Sequence, residues 1–318
     1  MPEYLIVSTS IVSNMDLLSD VLATAKTGSP ASGMFVRHAP WGRAYPRIES
    51  AGFHVVLQGS CWLTRPDAEP LALGAGDAVF MPRGVGHDLL DQLDSPVTET
   101  AGPDDVRIVA GPGVPATLLC GSYQLAADRT HPLLTELPEV VHVPARLGTH
   151  PSLRAAVDLL ADELTDTHPG ADAAIPPLLD LLLLYLLRAQ LADSAETTGW
   201  AAAVADPDIS RSLRAVHDDP AHGWTVESLG ARAGLSRAAF AKRFTTLVGE
   251  PPLTYLTRWR MLTAARLLRD TDHPLSTVAR HTGYGSEYAF GKAFKREFGT
   301  APGRYRSTPT EVLMAGAR

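Results

Sequence analysis

The sequence predicts an α+β multidomain chain. An N-terminal β-barrel is followed by helices, and a C-terminal all-α domain carries two helix-turn-helix motifs joined by a linking helix. Three observations carry that reading. Residues 50–90 alternate apolar and polar between glycine turns, the period of half-buried strands. Beyond residue 150 the apolar positions move to helical spacing. The stretch "AGLSRAAFAKRFTTLVG" (233–249) returns as "GYGSEYAFGKAFKREFG" (283–299), offset by 50 residues.

The 318 residues leave room for two domains with cores of their own. Net charge is −7 but unevenly spread: residues 208–318 carry 17 Lys/Arg against 10 Asp/Glu, a balance of +7 that leaves −14 on residues 1–207. A basic tail behind an acidic front points to a polyanion met by the tail alone. Two cysteines, Cys61 and Cys120, are too few for a secreted disulfide scaffold and fit a reducing compartment. The N-terminus lacks the charged start and apolar run of a signal peptide. The most apolar run, Leu178 to Leu187, is shorter than the roughly 20 residues of a membrane span and holds Asp180. The expected setting is the cytoplasm, with no membrane partner.

In the front half, "FHVVLQGSCWLTRP" and "EPLALGAGDAVFMPRGVGH" read as strands turning at Gly59 and at Gly74–Gly76, with Pro82 marking a bend or an edge. The candidate imidazole and thiol groups here are His54, Cys61, His87 and Cys120. Neutral imidazole and thiolate both bind zinc, so these are the candidate ligands for zinc or another divalent metal. Their spacing is not that of a zinc finger, and a buried structural role for each stands beside the metal and redox readings. As thiols, Cys61 and Cys120 are also the effector or redox candidates.

Further on, Leu153, Val157, Leu160 and Leu164 keep one helical face, and "IPPLLDLLLLYLLRAQLAD" is apolar nearly all round. A helix of that kind needs cover on more than one side, which a twofold pairing of subunits supplies. A polar, small-residue linker is expected at 194–208.

In the tail, Val226, Leu229 and Ala233 line one face of a first helix, Gly234 ends it, and Ser236 caps a second on which Phe240 and Phe244 point inward. The second copy repeats this with Leu275, Val278 and Ala279, a turn at Gly283–Gly285, Ser286 as cap, and Phe290, Phe294 and Phe298 inward. The opposite faces then present Arg237, Ala238, Ala241, Lys242 and Thr245 in the first copy, and Glu287, Tyr288, Gly291, Lys292, Lys295 and Arg296 in the second. Helices of this kind fit a DNA major groove, their early residues at base edges and their Lys and Arg at phosphates. Between them Leu253, Leu256, Trp259, Ala264 and Leu267 keep the spacing of a linking helix about 27 Å long. That length holds two reading heads near the ~34 Å between adjacent major-groove turns.

The two tail stretches, and above all Gly283, Tyr284, Ser286, Phe290, Phe294, Lys295, Phe298, Gly299, Pro302, Tyr305 and Arg306, resemble the DNA-binding domain of the AraC/XylS family of bacterial transcription factors. The front half is similar to the cupin-type sensor domains attached to one branch of that family, through "PWG" at 40–42, "FHVVLQGSCWL", "GDAVFMPRGVGH", "LLCGSYQL" and "HPLLTELPEV". "GDAVFMPRGVGH" resembles the second cupin motif, whose histidine ligates metal, but the first motif's paired histidines and glutamate are missing. That departure argues against an oxygenase-type site, which needs three ligands. Some members of the branch respond to reactive chlorine or other oxidants through cysteines.

The domains expected are a cupin-like sensor barrel at 16–130, a helical, dimerising segment at 131–193, the linker at 194–208, and an AraC-type double helix-turn-helix domain at 209–308, with residues 1–15 as an extension outside the likeness. The function implied is a non-enzymatic, sequence-specific DNA-binding regulator, an activator or a repressor, that senses a small molecule, oxidant or metal. Its implied partners are double-stranded DNA at two adjacent major-groove turns, a second copy of itself and, for an activator, RNA polymerase. The alternatives are a cupin-type metalloenzyme fused to a DNA-binding tail, and an architectural DNA binder with no effector.

Overall fold

Strand and helix follow one another as the change of period requires. In the computed structural model, which describes residues 16–102, 107–125, 131–146, 148–165, 168–193 and 198–307, a first helix α1 (Leu17–Ala25) precedes ten strands. These are β1 (Ala31–His38), β2 (Gly42–Tyr45), β3 (Ala51–Gln58), β4 (Ser60–Thr64), β5 (Leu71–Gly74), β6 (Ala78–Met81), β7 (His87–Leu90), β8 (Glu99–Thr100), β9 (Ile108–Val109) and β10 (Pro115–Tyr123). Then come α2 (Pro132–Thr135), β11 (Val141–Val143), α3 (Pro151–Thr165), α4 (Ala171–Asp193) and α5 (Gly199–Ala205). The tail holds α6 (Pro207–Asp218), α7 (Val226–Ala233), α8 (Arg237–Val248), α9 (Pro252–Asp270), α10 (Leu275–His281), α11 (Glu287–Phe298) and α12 (Pro302–Ser307). Residues 1–15, expected as an extension, lie outside the described residues.

The chain divides into two compact units. The first gathers residues 25–202 with 303–307. It holds a six-stranded sheet in the order β11-β6-β3-β10-β1-β9 and a five-stranded sheet in the order β5-β4-β7-β2-β8. Side chains of both fill one core: Val56, Val79 and Leu118 from the first, Cys61, Leu63 and Leu89 from the second. The hydroxyl of Tyr123 on β10 donates to the Leu179 carbonyl of α4 at 2.9 Å, and Lys26 pairs with Asp180 of the same helix. Pro82 falls just after β6, as its missing N–H requires. Gly84 follows at φ 53°, where an added Cβ would lie 2.3 Å from the carbonyl oxygens of Ile48 and Ser50, so only glycine fits.

Leu153, Val157 and Leu160 of α3 are buried as the spacing predicts, with Leu164 at the margin. The apolar run at 178–187 sits inside the 23-residue α4, the one helix among those described that is long and apolar enough to cross a membrane. Leu179, Leu182, Leu183, Leu186 and Leu187 are nevertheless sealed in the core of the chain, while Leu181 and, on α3, Leu159 stay exposed. Of the stretch expected to be linker, residues 194–197 lie outside the described residues and 199–205 form α5. Trp200 there is 2% exposed, its ring edge-on to His131 at 4.3 Å, and its backbone N–H donates to the Glu136 carboxylate at 2.6 Å.

The second unit gathers residues 16–24 with 203–302. Helix α1 buries Leu17, Leu18, Val21 and Leu22, and its Thr24 carbonyl accepts from Arg269 of α9 at 3.0 Å. The linking helix α9 has 19 residues, about 28 Å. Its buried face is Tyr255, Leu256, Trp259, Leu262, Ala264 and Leu268; Leu253, expected inward, is 42% exposed. On that face Tyr255 fills the space beside Phe244, 5.8 Å away, one turn after the buried Pro252.

Candidate nucleic-acid interface and barrel interior

Local rules set the first reading head. The Thr225 side chain accepts from Ser228 N–H at 3.0 Å, and the Ser228 hydroxyl accepts from Thr225 N–H at 2.9 Å, a reciprocal cap at the start of α7. Gly234 closes that helix at φ 71°, in the left-handed region. Ser236 caps α8, accepting from Ala239 N–H at 3.4 Å. Phe240 and Phe244 are 0% and 1% exposed, with ring centroids 5.4 Å apart. The second head repeats the construction. Ser286 caps α11, accepting from Ala289 N–H at 3.2 Å, and Phe290 and Phe294 are both fully buried. Phe298, expected inward, is only half-buried, since it lies in the last turn of α11.

With those phenylalanines inward, Arg237, Ala238, Lys242 and Thr245 are exposed on α8, with Ala241 at the margin. On α11, Glu287, Lys292, Lys295 and Arg296 are exposed, Gly291 is at the margin, and Tyr288 stands 83% exposed. Glu287 sits in the first turn, where the helix dipole favours a carboxylate. One cation of α8 is engaged elsewhere: Arg243 binds Asp206 at 2.9 Å through Nε and Asp208 at 3.2 Å through Nη1. Asp206 also caps α6, accepting from the N–H groups of Asp208 and Ile209 at 3.0 Å. Partial burial opposes ionisation of its carboxyl, but those N–H groups and the Arg243 guanidinium together hold it below its ordinary range. Arg243 therefore ties α8 to α6.

The barrel interior places His54 on β3, His87 on β7, Cys120 on β10 and Cys61 on β4. His54 and His87 meet Nε2 to Nε2 at 2.8 Å, and His87 Nδ1 contacts the Val85 carbonyl at 2.8 Å. Cys120 is the cross-strand partner of His54 and so shares its face of the sheet. Tyr45, opposite His87 in register, stacks on that ring at 5.0 Å and 0°, while its hydroxyl lies 3.7 Å from Cys120 Sγ. Burial pushes His54 well below the ordinary imidazole range, helped by His87 and Arg43, and burial likewise lowers His87. Burial raises the Tyr45 hydroxyl well above its usual range and pushes the Cys61 thiol up to about 12.

The four candidate ligands do not form a single cage. Among the described residues no group of three or more His, Cys, Asp or Glu side chains converges as a metal site. The two histidines meet across the barrel from different sheets, whereas Cys61, on β4, reaches the group only through its electrostatic interaction with Cys120. Neither cysteine is in a disulfide. Sequence reasoning missed Tyr45 and Arg43, although the alternation of "GRAY" puts both on one face of β2. Arg43 Nη1 and Arg37 Nε converge on Glu99 Oε2 at 2.9 and 3.1 Å, with the Arg43 guanidinium 5.3 Å from the Tyr45 ring centroid.

Comparison with known proteins matches residues 16–192 to a protein family described as Cupin and residues 229–308 to a Helix-turn-helix domain family. A Putative AraC-like transcription regulator of Streptomyces antibioticus is 36% identical over 301 residues, covering 93% of this chain and 99% of that protein. The chain belongs to the AraC-like transcription regulators. Another relative in this family, the HTH-type transcriptional regulator MtrA of Neisseria gonorrhoeae, is 30% identical over 302 residues, or 92% of this chain and 98% of that one. Among solved structures, the DNA-binding domain of AdpA in complex with a target DNA is 36% identical. It covers 32% of this chain and 91% of its own length, with a TM-score of 0.30. This AraC-like regulator thus carries a cupin domain in front and a helix-turn-helix domain behind, the order that the change of period and the tail repeat imply.

Proposed function

We propose that this regulator binds duplex DNA sequence-specifically through α8 and α11 and answers to a signal received in its barrel. The observation that carries this reading is the pair of capped helices whose aromatic face is sealed and whose other face offers Arg237, Lys242, Tyr288, Lys292 and Lys295 to solvent. Lys and Arg on the flanks position the helices against phosphates, while Arg237, Ala238, Glu287 and Tyr288, in the first turns, reach base edges. A homodimer presents four such helices, and the exposed Leu159 and Leu181 give α3 and α4 an apolar surface for that pairing. RNA polymerase is the further partner if the protein activates. The barrel has no catalytic role in this reading.

Nuclease footprinting of the purified chain on the DNA upstream of its own gene and neighbouring genes tests the proposal. A bounded footprint spanning two adjacent major-groove turns is expected, with an affinity that falls steeply as salt rises. Equal binding to unrelated duplexes would leave an architectural binder. Turnover of a substrate dependent on His54 and His87 would favour the metalloenzyme.

A further inference from the structure

Arg260, near the middle of α9, touches both reading heads at once. Its Nε donates to the Pro220 carbonyl at 2.7 Å and its Nη2 to the His222 carbonyl at 2.9 Å, both in the loop that leads from α6 into α7. That loop is tied to itself: the Trp224 indole N–H donates to the Asp219 carbonyl at 2.9 Å, and the His222 N–H donates to the Asp219 carboxylate at 3.0 Å. Arg260 therefore holds it as one piece. On the other side of the guanidinium stands Gly283, in the turn between α10 and α11. A Cβ there would lie 2.7 Å from Arg260 Nη2 and 3.0 Å from the Ala221 carbonyl oxygen, so the backbones of the two heads meet beside the guanidinium. The matching glycine of the first head stands freer. Gly234 and Gly283 both end a helix in the left-handed region, at φ 71° and 76°. Each is followed by a residue whose N–H reaches back five positions, Leu235 to the Gly230 carbonyl and Tyr284 to that of Ala279. Yet the nearest atom to a Cβ at Gly234, among the described residues, is Arg211 Nη2, at 4.0 Å. The crowding at Gly283 thus belongs to the seam between the heads and not to the turn itself.

We propose that Arg260 is a positioning residue for DNA recognition, a pin that sets the spacing and angle at which α8 and α11 present themselves to one duplex. The proposal rests on the reading above that both helices meet DNA, and it says what fixes them relative to one another. Helix α8 packs on α9 from the first head, and α10 and α11 pack on it from the second. A long helix curves, so two bodies carried on it swing unless a direct contact joins them. Arg260 and Gly283 supply that contact. Gly283 lies three residues before Ser286, the cap of α11, so a shift of the turn moves the end of α11 expected at base edges. A guanidinium suits the role: it is planar, always charged, and offers its donors in a rigid fork that two carbonyls can hold in one orientation. A lysine ammonium keeps the charge but lacks the fork and sits on a flexible stem. The angle matters because each base pair turns the groove by about 35°. Heads held rigidly read two subsites at one spacing, the first raising the effective concentration of the second. Heads that swivel lose that advantage at the right spacing and lose less at a wrong one.

The test uses the full-length chain and duplexes that the wild-type protein itself enriches from a random-sequence library, with the two subsites located by footprinting. Duplexes with one base pair inserted or removed between the subsites then measure tolerance to spacing. Wild type should bind these about tenfold more weakly than the enriched duplex. Arg260→Gln and Arg260→Lys should both bind the enriched duplex less well, and their loss on changing the spacing should shrink to less than about threefold. Gly283→Ala, which drives the guanidinium off the seam from the other side, should do the same. Denaturant midpoints on the same preparations establish that the variants are folded, and a merely structural defect lowers affinity at every spacing alike. If Arg260 instead meets a phosphate, Arg260→Gln reduces the salt slope by about one and keeps the full spacing preference, which overturns the proposal. Should Arg260→Gln fail to fold, Arg260→Lys carries the same comparison with the charge retained. Equal affinity of the wild-type chain for all three spacings leaves nothing for Arg260 to set and also overturns it. The two failures are distinct: a wild-type chain that enriches no duplex fails the reading of α8 and α11 itself, whereas a spacing preference unchanged in the variants fails the pin alone.

Discussion

His217 Nε2 lies 2.6 Å from the Tyr255 hydroxyl, and its Nδ1 lies 3.1 Å from the Asp20 carboxylate, in a site where the imidazole is wholly buried. The neutral ring satisfies both contacts: Tyr255 O–H donates to Nε2, and Nδ1–H donates to Asp20. The ring also stacks on Trp259 at 3.7 Å and 7°. Three helices, α1, α6 and α9, are thus joined at one side chain.

That site predicts how this unit responds to acid. Burial outweighs the facing Asp20 and the neighbouring Asp218 and lowers the His217 imidazole below its ordinary value. The unfolded chain therefore binds the extra proton first, from about pH 6.5 downward, and stability falls with pH over that window. Denaturant midpoints measured at decreasing pH should drop for the wild-type chain and drop less for His217→Gln. A midpoint that rises on acidification would mean the ring is held as imidazolium against Asp20.

Stability and recognition should separate on the two faces of α11. Phe290 is fully buried between Tyr284, at 5.9 Å, and Phe294, at 5.6 Å, so Phe290→Ala leaves a cavity that costs about 3–5 kcal/mol. Lys292 is exposed, so Lys292→Ala should stay within about 0.5 kcal/mol of wild-type stability. The same change should weaken duplex binding, and the salt slope should shrink by about one counterion if Lys292 meets a phosphate. Chemical denaturation and fluorescence anisotropy on the two variants check the split. Equal loss of stability from both would place Lys292 in the fold.

Thiol chemistry should show Cys61 as unreactive in the folded chain. Cys61 is 2% exposed, and burial, with Cys120 and Asp77 nearby, pushes its thiol up to about 12. Reaction needs the thiolate, so at about pH 8.5, where an ordinary thiol is half ionised, Cys61 should resist alkylation until the chain unfolds. Mass spectrometry of folded and denatured samples reads this directly. Rapid labelling of Cys61 in the folded chain would restore it as a direct redox sensor.

What the sequence made legible was local. The 50-residue offset gave both heads, because Ser236, Ser286 and the paired phenylalanines obey capping and periodicity rules that act within one or two turns. The same rules placed the glycine turn at Gly234 and the bend at Pro82. Contacts between distant segments were not legible. His54 and His87 are 33 residues apart on different sheets, and Asp20 and His217 are separated by 197 positions. Small residues at 199–205 read as linker because one tryptophan makes no periodic pattern, yet Trp200 finds His131 and a helix forms around it. Leu253 fits the apolar spacing of α9 but sits in its first turn, off the buried face that runs from Pro252 to Tyr255.

Gly291 separates folding from recognition most sharply. It lies in the middle of α11, where glycine is about 1 kcal/mol worse than alanine. No neighbour explains it: an added Cβ would meet nothing within 4 Å, and the helix runs on through Phe298. Its smallness therefore faces outward, between Tyr288 and Lys295, on the surface proposed to enter the groove. If the DNA approaches the helix backbone there, Gly291→Ala should stabilise the unit by up to about 1 kcal/mol while weakening operator binding. A more stable protein that binds less well is not an outcome a folding defect produces. Denaturation midpoints and operator affinity measured on the same preparation test it, and unchanged affinity would move the closest approach to another turn of α11.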